Sequence, residues 1–430
     1  MRAACFPACL IERLPHARNN RLVLHPVRGF GQRFRKIAPF PRMDLTMTAP
    51  FAAPTFAAPT FAAFLPKDRT LMGPGPSDVP SRVLAALGRP TLGHLDPGFV
   101  AMMDELKALL RYVFQTENEL TFPVSGPGSA GMEACLMNLV EPGETVIVCV
   151  NGVFGQRMVE VVRRLGATAV VVEDAWGAPV SPEKVEAAFA AHPEARLLAF
   201  VHAETSTGAR SDAATLAAIA RRFGALTLMD CVTSLAGIPV LIDAWGIDAA
   251  YAGSQKCLSC TPGLAPVTFS PRAVEKIKAR KTPCVSWFQD LDLVMGYWSG
   301  AKRTYHHTAP VNPLYALHEA LRIVAEEGRE AVWARHAALH AELAAGLEAL
   351  GLHFVVEPPW RLPQLNAVRV PAGVDEAALR RRLLDEFGLE IGAGLGVFAG
   401  QVWRIGLMGH SARPANVALC LAALGRVLGR

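Results

Sequence analysis

The chain has 430 residues, 51% of them hydrophobic and 19% charged, enough to bury one large domain with a smaller companion. Its formal charge of +5 is unevenly placed: residues 1–42 hold eight Arg and Lys36 against Glu12 alone, while the remaining 388 residues carry 34 basic and 37 acidic side chains. A body so close to neutral has no electrostatic footprint for nucleic acid, and no uninterrupted apolar run approaches the roughly 18 residues of a membrane span.

Residues 1–66 form a basic, low-complexity extension expected to be disordered and to lie outside the fold. Its basic part has the acid-poor character of a mitochondrial transit peptide or of a tail, with Met43 and Met47 offering later starts. FAAPTFAAPTFAAF (51–64) is a five-residue repeat broken by Pro54 and Pro59. Nine cysteines make no even framework, and several sit inside apolar runs such as TVIVCV and NVALCLAAL. That pattern fits a reducing compartment. The expected location is cytoplasmic, or the mitochondrial matrix if the leader is a transit peptide.

From about residue 118, short apolar strands alternate with helical stretches. TVIVCV (145–150) precedes GQRMVEVVRRLG, ATAVVVE and SPEKVEAAFAAH; RLLAFVHAE (196–204) precedes DAATLAAIARRFG and ALTLMD (225–230). The near-continuous apolar runs predict a mainly parallel sheet buried on both faces, hence an α/β/α domain over 67–311 with an N-terminal arm. Ser181-Pro182-Glu183 and Ser211-Asp212 mark helix starts. After residue 312 a long helical stretch (311–351) leads into LNAVRVP, DEAALRRRLLDEFG, VWRIGLMG and a last helix, which predicts a smaller α+β domain over 312–430.

Three features fall at the carboxyl ends of the predicted strands, where open α/β sheets bind ligands. Ser125-Gly126-Pro127-Gly128-Ser129 opens a helix whose free N–H groups suit a phosphate. Asp230 ends an apolar strand, where an acid needs a cationic or hydrogen-bonding partner. Lys256 follows a short strand at the start of an irregular loop. Singly, each has an ordinary explanation as a turn, a helix cap and a solvated side chain. Together, a phosphate cradle, an acid for a pyridinium nitrogen and a lysine for a Schiff base are the parts that pyridoxal 5′-phosphate requires. Phe154, after strand 145–150, is a candidate to stack on the ring.

From about residue 68 onward the chain resembles the class V (fold type I) pyridoxal-phosphate aminotransferases, in the alanine–glyoxylate and serine–pyruvate branch. The motifs run in order: LMGPGPS (71–77), SGPGSAGMEA (125–134), NGVFGQR (151–157), HAETSTG (202–208), MDCVTS (229–234), GSQKCL (253–258), YHHTAP (305–310), RLPQLNAV (361–368) and VWRIGLMG (402–409).

The resemblance implies that Lys256 carries the cofactor, Asp230 pairs with its ring nitrogen, and Val232 packs on the ring face opposite Phe154. It puts Thr205 near the phenolic oxygen and the phosphate against Gly128, Ser129 and Gln255. Tyr305 and Thr308 would complete the cradle of a neighbouring subunit, so a homodimer is expected. Arg404 would clamp the substrate α-carboxylate, and Gly75 would border the substrate pocket. Where animal members carry His and Trp, this chain has Ser129 and Phe154, which puts affinity for cofactor or substrate in question. The implied reaction moves an amino group from alanine or serine to glyoxylate or pyruvate, alanine–glyoxylate foremost. Serine–glyoxylate and pyridoxamine–pyruvate exchange are the alternatives.

A cysteine desulfurase-like lyase of the same fold is a rival, but Gln255 stands where those enzymes have His, and Cys284 and Cys420 lie in no matching loop. Cys257 and Cys260 form a C-x-x-C pair beside Lys256, but no second ligand pair accompanies it, so no metal site is expected. The two thiols are expected to fill space.

Overall fold

The computed structural model describes residues 57–298 and 303–430. The basic segment 1–42 and the first part of the repeat, for which a disordered tail or leader is expected, lie outside the described residues; 57–66 form no helix or strand and are exposed.

Residues Pro66–Arg430 make one compact unit. Its centre is a seven-stranded sheet built from β1 (Leu120–Ser125), β2 (Thr145–Val150), β3 (Thr168–Glu173), β4 (Leu197–Val201), β5 (Leu226–Asp230), β6 (Ala249–Tyr251) and β7 (Leu264–Phe269), in the order β1-β7-β6-β5-β4-β2-β3. All pairs are parallel except those of β7, which runs antiparallel to both β1 and β6. The cause is the connection: parallel neighbours need a crossover, whereas residues 252–263 link β6 to β7 with no helix and so fold straight back. The apolar runs of β2, β4 and β7 are buried on both faces, whereas β3, at the sheet edge, is partly exposed.

The expected helix starts occur. Ser181 accepts from the Lys184 N–H at 3.2 Å to cap Pro182–Ala191, and Asp212 accepts from Thr215 at 3.2 Å to cap Ala213–Arg222. The long helical stretch expected over 311–351 consists of two helices, Val311–Glu327 and Arg329–Ala349, separated by Gly328 at φ +86°. That left-handed conformation ends the first helix at low cost only because position 328 has no Cβ.

Two apolar clusters form the core. One surrounds the large sheet; the other gathers Leu343, Leu347, Trp403, Ile405, Leu424 and neighbours around a three-stranded antiparallel sheet with Val402–Gly406 between Leu365–Arg369 and Gly392–Ala393. Met72, from the N-terminal end of the unit, packs into this second cluster, because Thr70–Leu71 pairs in parallel with Leu389–Glu390.

Candidate active site

β1 and β6 run the same way as β2 to β5, so the carboxyl ends of six strands open on one side of the sheet. Lys256 lies just beyond β6. Its loop stays pinned to the sheet because the Ser254 N–H reaches the Leu264 carbonyl at 3.0 Å, and the Ser77 hydroxyl donates to the Lys256 carbonyl at 2.7 Å. The side chain is 9% exposed and its ammonium nitrogen donates to the Pro74 carbonyl. Burial, aided by the Arg404 charge, lowers its pKa to about 8, so a far larger share of the amine is neutral and nucleophilic near neutral pH than for an ordinary lysine, although the ammonium form still predominates at pH 7. A Cβ on Gly75, whose φ is +100°, would stand 2.7 Å from the Lys256 Nζ. Only a glycine lets this segment roof the lysine so closely.

Asp230 ends β5 at 2% exposure. One carboxyl oxygen accepts the Val232 N–H at 2.8 Å and the other accepts the Tyr251 hydroxyl at 2.6 Å. Burial outweighs these donors and raises its pKa to about 7, with Glu204 pushing the same way and Lys256 opposing. Such a carboxyl has room for one more cationic donor. Val232, half-buried, meets the start of the helix Gly128–Leu139: a Cβ on Gly128 would come within 3.2 Å of its Cγ2. The first N–H groups of that helix have no intrahelical acceptors, and Ser129 is exposed beside them. The Gln255 side-chain oxygen is buried with no hydrogen-bond partner among the described residues.

Thr205 is buried with its hydroxyl against that of Thr233. Its carbonyl accepts from Arg404 at 3.2 Å, and Arg404 also donates to the Ala393 carbonyl at 2.7 Å. The guanidinium, 6% exposed, has no ion-pair partner among the described residues, and burial lowers its pKa to about 10. A buried cation satisfied only by carbonyls is suited to an incoming carboxylate. Phe154 lies in the first turn of the helix Val153–Arg164, half-buried, with the Arg157 guanidinium 4.8 Å from its ring centroid.

Contacts thus link Lys256 with Gly75, Asp230 with Val232 and Gly128, and Thr205 with Arg404. Tyr305 and Thr308 stand apart: both are exposed, and no hydrogen bond among the described residues ties them to this group. Tyr305 instead lies beside His94, ring centroids 5.1 Å apart. Cys257 and Cys260 are buried thiols whose pKa values are pushed up by burial to about 12 and about 11. Tyr251, Thr233, Pro74 and Glu204 belong to the site without having been singled out in the sequence. Glu204 carried the same signal as Asp230, an acid at the end of an apolar strand.

These residues fit pyridoxal 5′-phosphate. Asp230 has no cationic hydrogen-bond partner among the described residues and so can take a ring nitrogen, Lys256 is a buried amine, and the start of the helix Gly128–Leu139 offers N–H groups to a phosphate.

Comparison with known proteins agrees. The family model for aminotransferase class-V matches residues 74–412. An alanine–glyoxylate aminotransferase from Callithrix jacchus is 41% identical over 363 residues, spanning 84% of this chain and 87% of that protein. An (S)-ureidoglycine–glyoxylate transaminase from Bacillus subtilis (strain 168) is 38% identical over 380 residues, spanning 84% and 91%. The crystal structure of an alanine–glyoxylate aminotransferase from Nostoc sp. matches with a TM-score of 0.84 at 48% identity, covering 86% of this chain and 97% of that one. The fold is that of the type I pyridoxal-phosphate enzymes. The chain belongs to the class V aminotransferases, enzymes that work with pyridoxal 5′-phosphate.

Proposed function

We propose that this enzyme moves an amino group from alanine to glyoxylate, with serine and pyruvate as the neighbouring donor and acceptor. The observation that carries the reading is the buried Arg404 guanidinium, without an ion-pair partner among the described residues and near enough for its charge to lower the pKa of Lys256, which Gly75 closely roofs. A small amino acid has the carboxylate that Arg404 lacks and an α-carbon on which the Lys256 amine can act.

Pyridoxal 5′-phosphate, when bound, supplies an aldehyde for amine capture and a cationic ring that delocalises the electron pair left when a Cα–H bond breaks. Lys256 would hold it covalently, Asp230 would hold the ring nitrogen, Val232 and Phe154 would flank the ring, and Thr205 would lie by the phenolic oxygen. Gly128, Ser129 and Gln255 would hold the phosphate. Arg404 binds and orients the substrate carboxylate with two parallel donors. The Lys256 amine, once free, moves a proton from the substrate Cα, and its pKa of about 8 suits a base that must be neutral to accept it. The Pro74 carbonyl gives that amine a resting acceptor.

A homodimer belongs to the same proposal. Val285, Trp287, Phe288 and Tyr305 are 69%, 63%, 38% and 57% exposed, an apolar surface suited to a second copy, and Tyr305 and Thr308 would reach the neighbouring cofactor phosphate from it. The relatives favour one other donor: ureidoglycine, named for the Bacillus subtilis protein, with glyoxylate again the acceptor. Purified enzyme incubated with alanine and glyoxylate should release pyruvate and glycine. If no amino donor gives glyoxylate-dependent turnover, the substrate reading fails while the family membership stands.

A further inference from the structure

Glu204 is fully buried at the end of the two-residue strand Ala203–Glu204. One carboxyl oxygen accepts the N–H and the hydroxyl of Ser206, at 3.0 and 2.5 Å; the other accepts the Phe154 N–H at 3.2 Å. The Ser206 oxygen accepts the Val153 N–H at 3.0 Å, which leaves its own proton for Glu204. The helix Val153–Arg164 has no cap from its own chain segment, since Gly152 occupies that position. A Cβ there would run into the Glu204 carboxyl and the Ser206 hydroxyl. Glu204 and Ser206 therefore cap this helix from a different strand, satisfying its first free N–H groups.

The hydrogen bonds to Glu204 all come from donors. A carboxylate accepts at both oxygens, whereas a protonated acid or an amide would turn a donor toward one of them. Burial raises the pKa of this carboxyl, and the donors around it pull the other way. Between Glu204 and Ser206 lies Thr205, whose hydroxyl meets Thr233 and whose carbonyl holds Arg404. Glu204 also supplies negative charge that favours the Arg404 cation.

We infer that Glu204 is a positioning residue which, as a buried carboxylate, sets both the helix start that presents Phe154 and the Thr205 carbonyl that orients Arg404. One side chain thereby fixes the ring wall and the carboxylate clamp relative to each other. The inference rests on the roles proposed above for Phe154 and Arg404.

The test compares Glu204→Gln, which keeps size but reverses one acceptor, with wild type. The readouts are hydrogen exchange of peptides covering 151–157 in cofactor-free protein, the Kd of pyridoxal 5′-phosphate by absorbance titration, and kcat and KM for alanine. The expected result is faster exchange at the helix start, a cofactor Kd about tenfold higher and a higher KM for alanine. Wild-type exchange and Kd in the variant would overturn the inference. So would faster exchange with an unchanged Kd and KM, which would reduce Glu204 to a plain cap. Should Glu204→Gln fail to fold, Ser206→Ala removes one donor and the Val153 acceptor and should shift all three readouts the same way by less; no shift would again overturn it. Failure of the wild type itself to bind the cofactor overturns the proposed function together with this inference, and is distinguished by the wild-type titration alone.

Discussion

Tyr251 stands beside Asp230 on the neighbouring parallel strand and donates its hydroxyl to the carboxyl at 2.6 Å. The pair is buried, and the phenol holds one carboxyl oxygen while the Val232 N–H holds the other, which fixes the carboxylate plane. Tyr251→Phe removes one donor without changing the packing much. It is expected to cost about 1–3 kcal/mol of stability and to weaken cofactor binding, as chemical denaturation and absorbance titration would show. Unchanged values for both would mean the hydrogen bond contributes nothing.

The Lys256 amine has its pKa lowered from 10.5 to about 8, so between those values the unfolded chain binds more protons than the folded one. Stability of the cofactor-free enzyme should therefore carry a penalty below pH 8 that lifts as pH rises toward 10.5. Lys256→Met should remove that dependence and stabilise the cofactor-free protein near pH 7 by up to about 3 kcal/mol. The same variant should lose transamination and show no added mass after borohydride treatment. A stability profile parallel to wild type over this range would contradict the assignment.

Asp230 gives the opposite sign. Its pKa, raised from 3.8 to about 7, makes the folded cofactor-free protein the better proton binder across that interval. This contribution is complete below pH 3.8 and is lost as pH climbs through 7. Asp230→Asn should flatten the fall, seen as a smaller decline in denaturation midpoint between acid and neutral buffer, while sharply lowering kcat with cofactor present.

Arg404→Lys keeps the charge but loses the planar fork. The KM for alanine should rise about tenfold or more, with cofactor Kd little changed, because the loss is confined to the substrate carboxylate. A cofactor defect of equal size would show instead that Arg404 supports the whole wall through Thr205.

Cys257 and Cys260 should resist alkylation in the native protein at pH 8, since both thiols are buried and stay protonated. Among the described cysteines, half-buried Cys284 should be labelled first in peptide mapping. Rapid loss of activity on labelling at 257 would contradict this.

The pieces of the site that lie on strand ends were legible because burial makes a charged residue conspicuous there: Asp230 and Lys256 interrupt otherwise apolar or small-residue stretches. Tyr251 was not, since its partner depends on the register of two strands that no local pattern reveals. Pro74 was hidden for another reason. Its carbonyl, not its side chain, makes the contact, and backbone atoms carry no signature in a sequence. The antiparallel β7 escaped the mainly parallel expectation because an apolar run reads alike in either direction; only the short, helix-free link before it betrays the reversal.

The roof over Lys256 has a consequence for how the enzyme is made. The segment carrying Pro74 and Gly75 is anchored through Thr70–Leu71 on Leu389–Glu390, and the Met72 carbonyl accepts from Gly406 at 2.7 Å. The early-synthesised roof can find those anchors only after the last part of the chain has left the ribosome. Completion of the roof over Lys256 is therefore a late event of translation, tied to the arrival of residues 389–406.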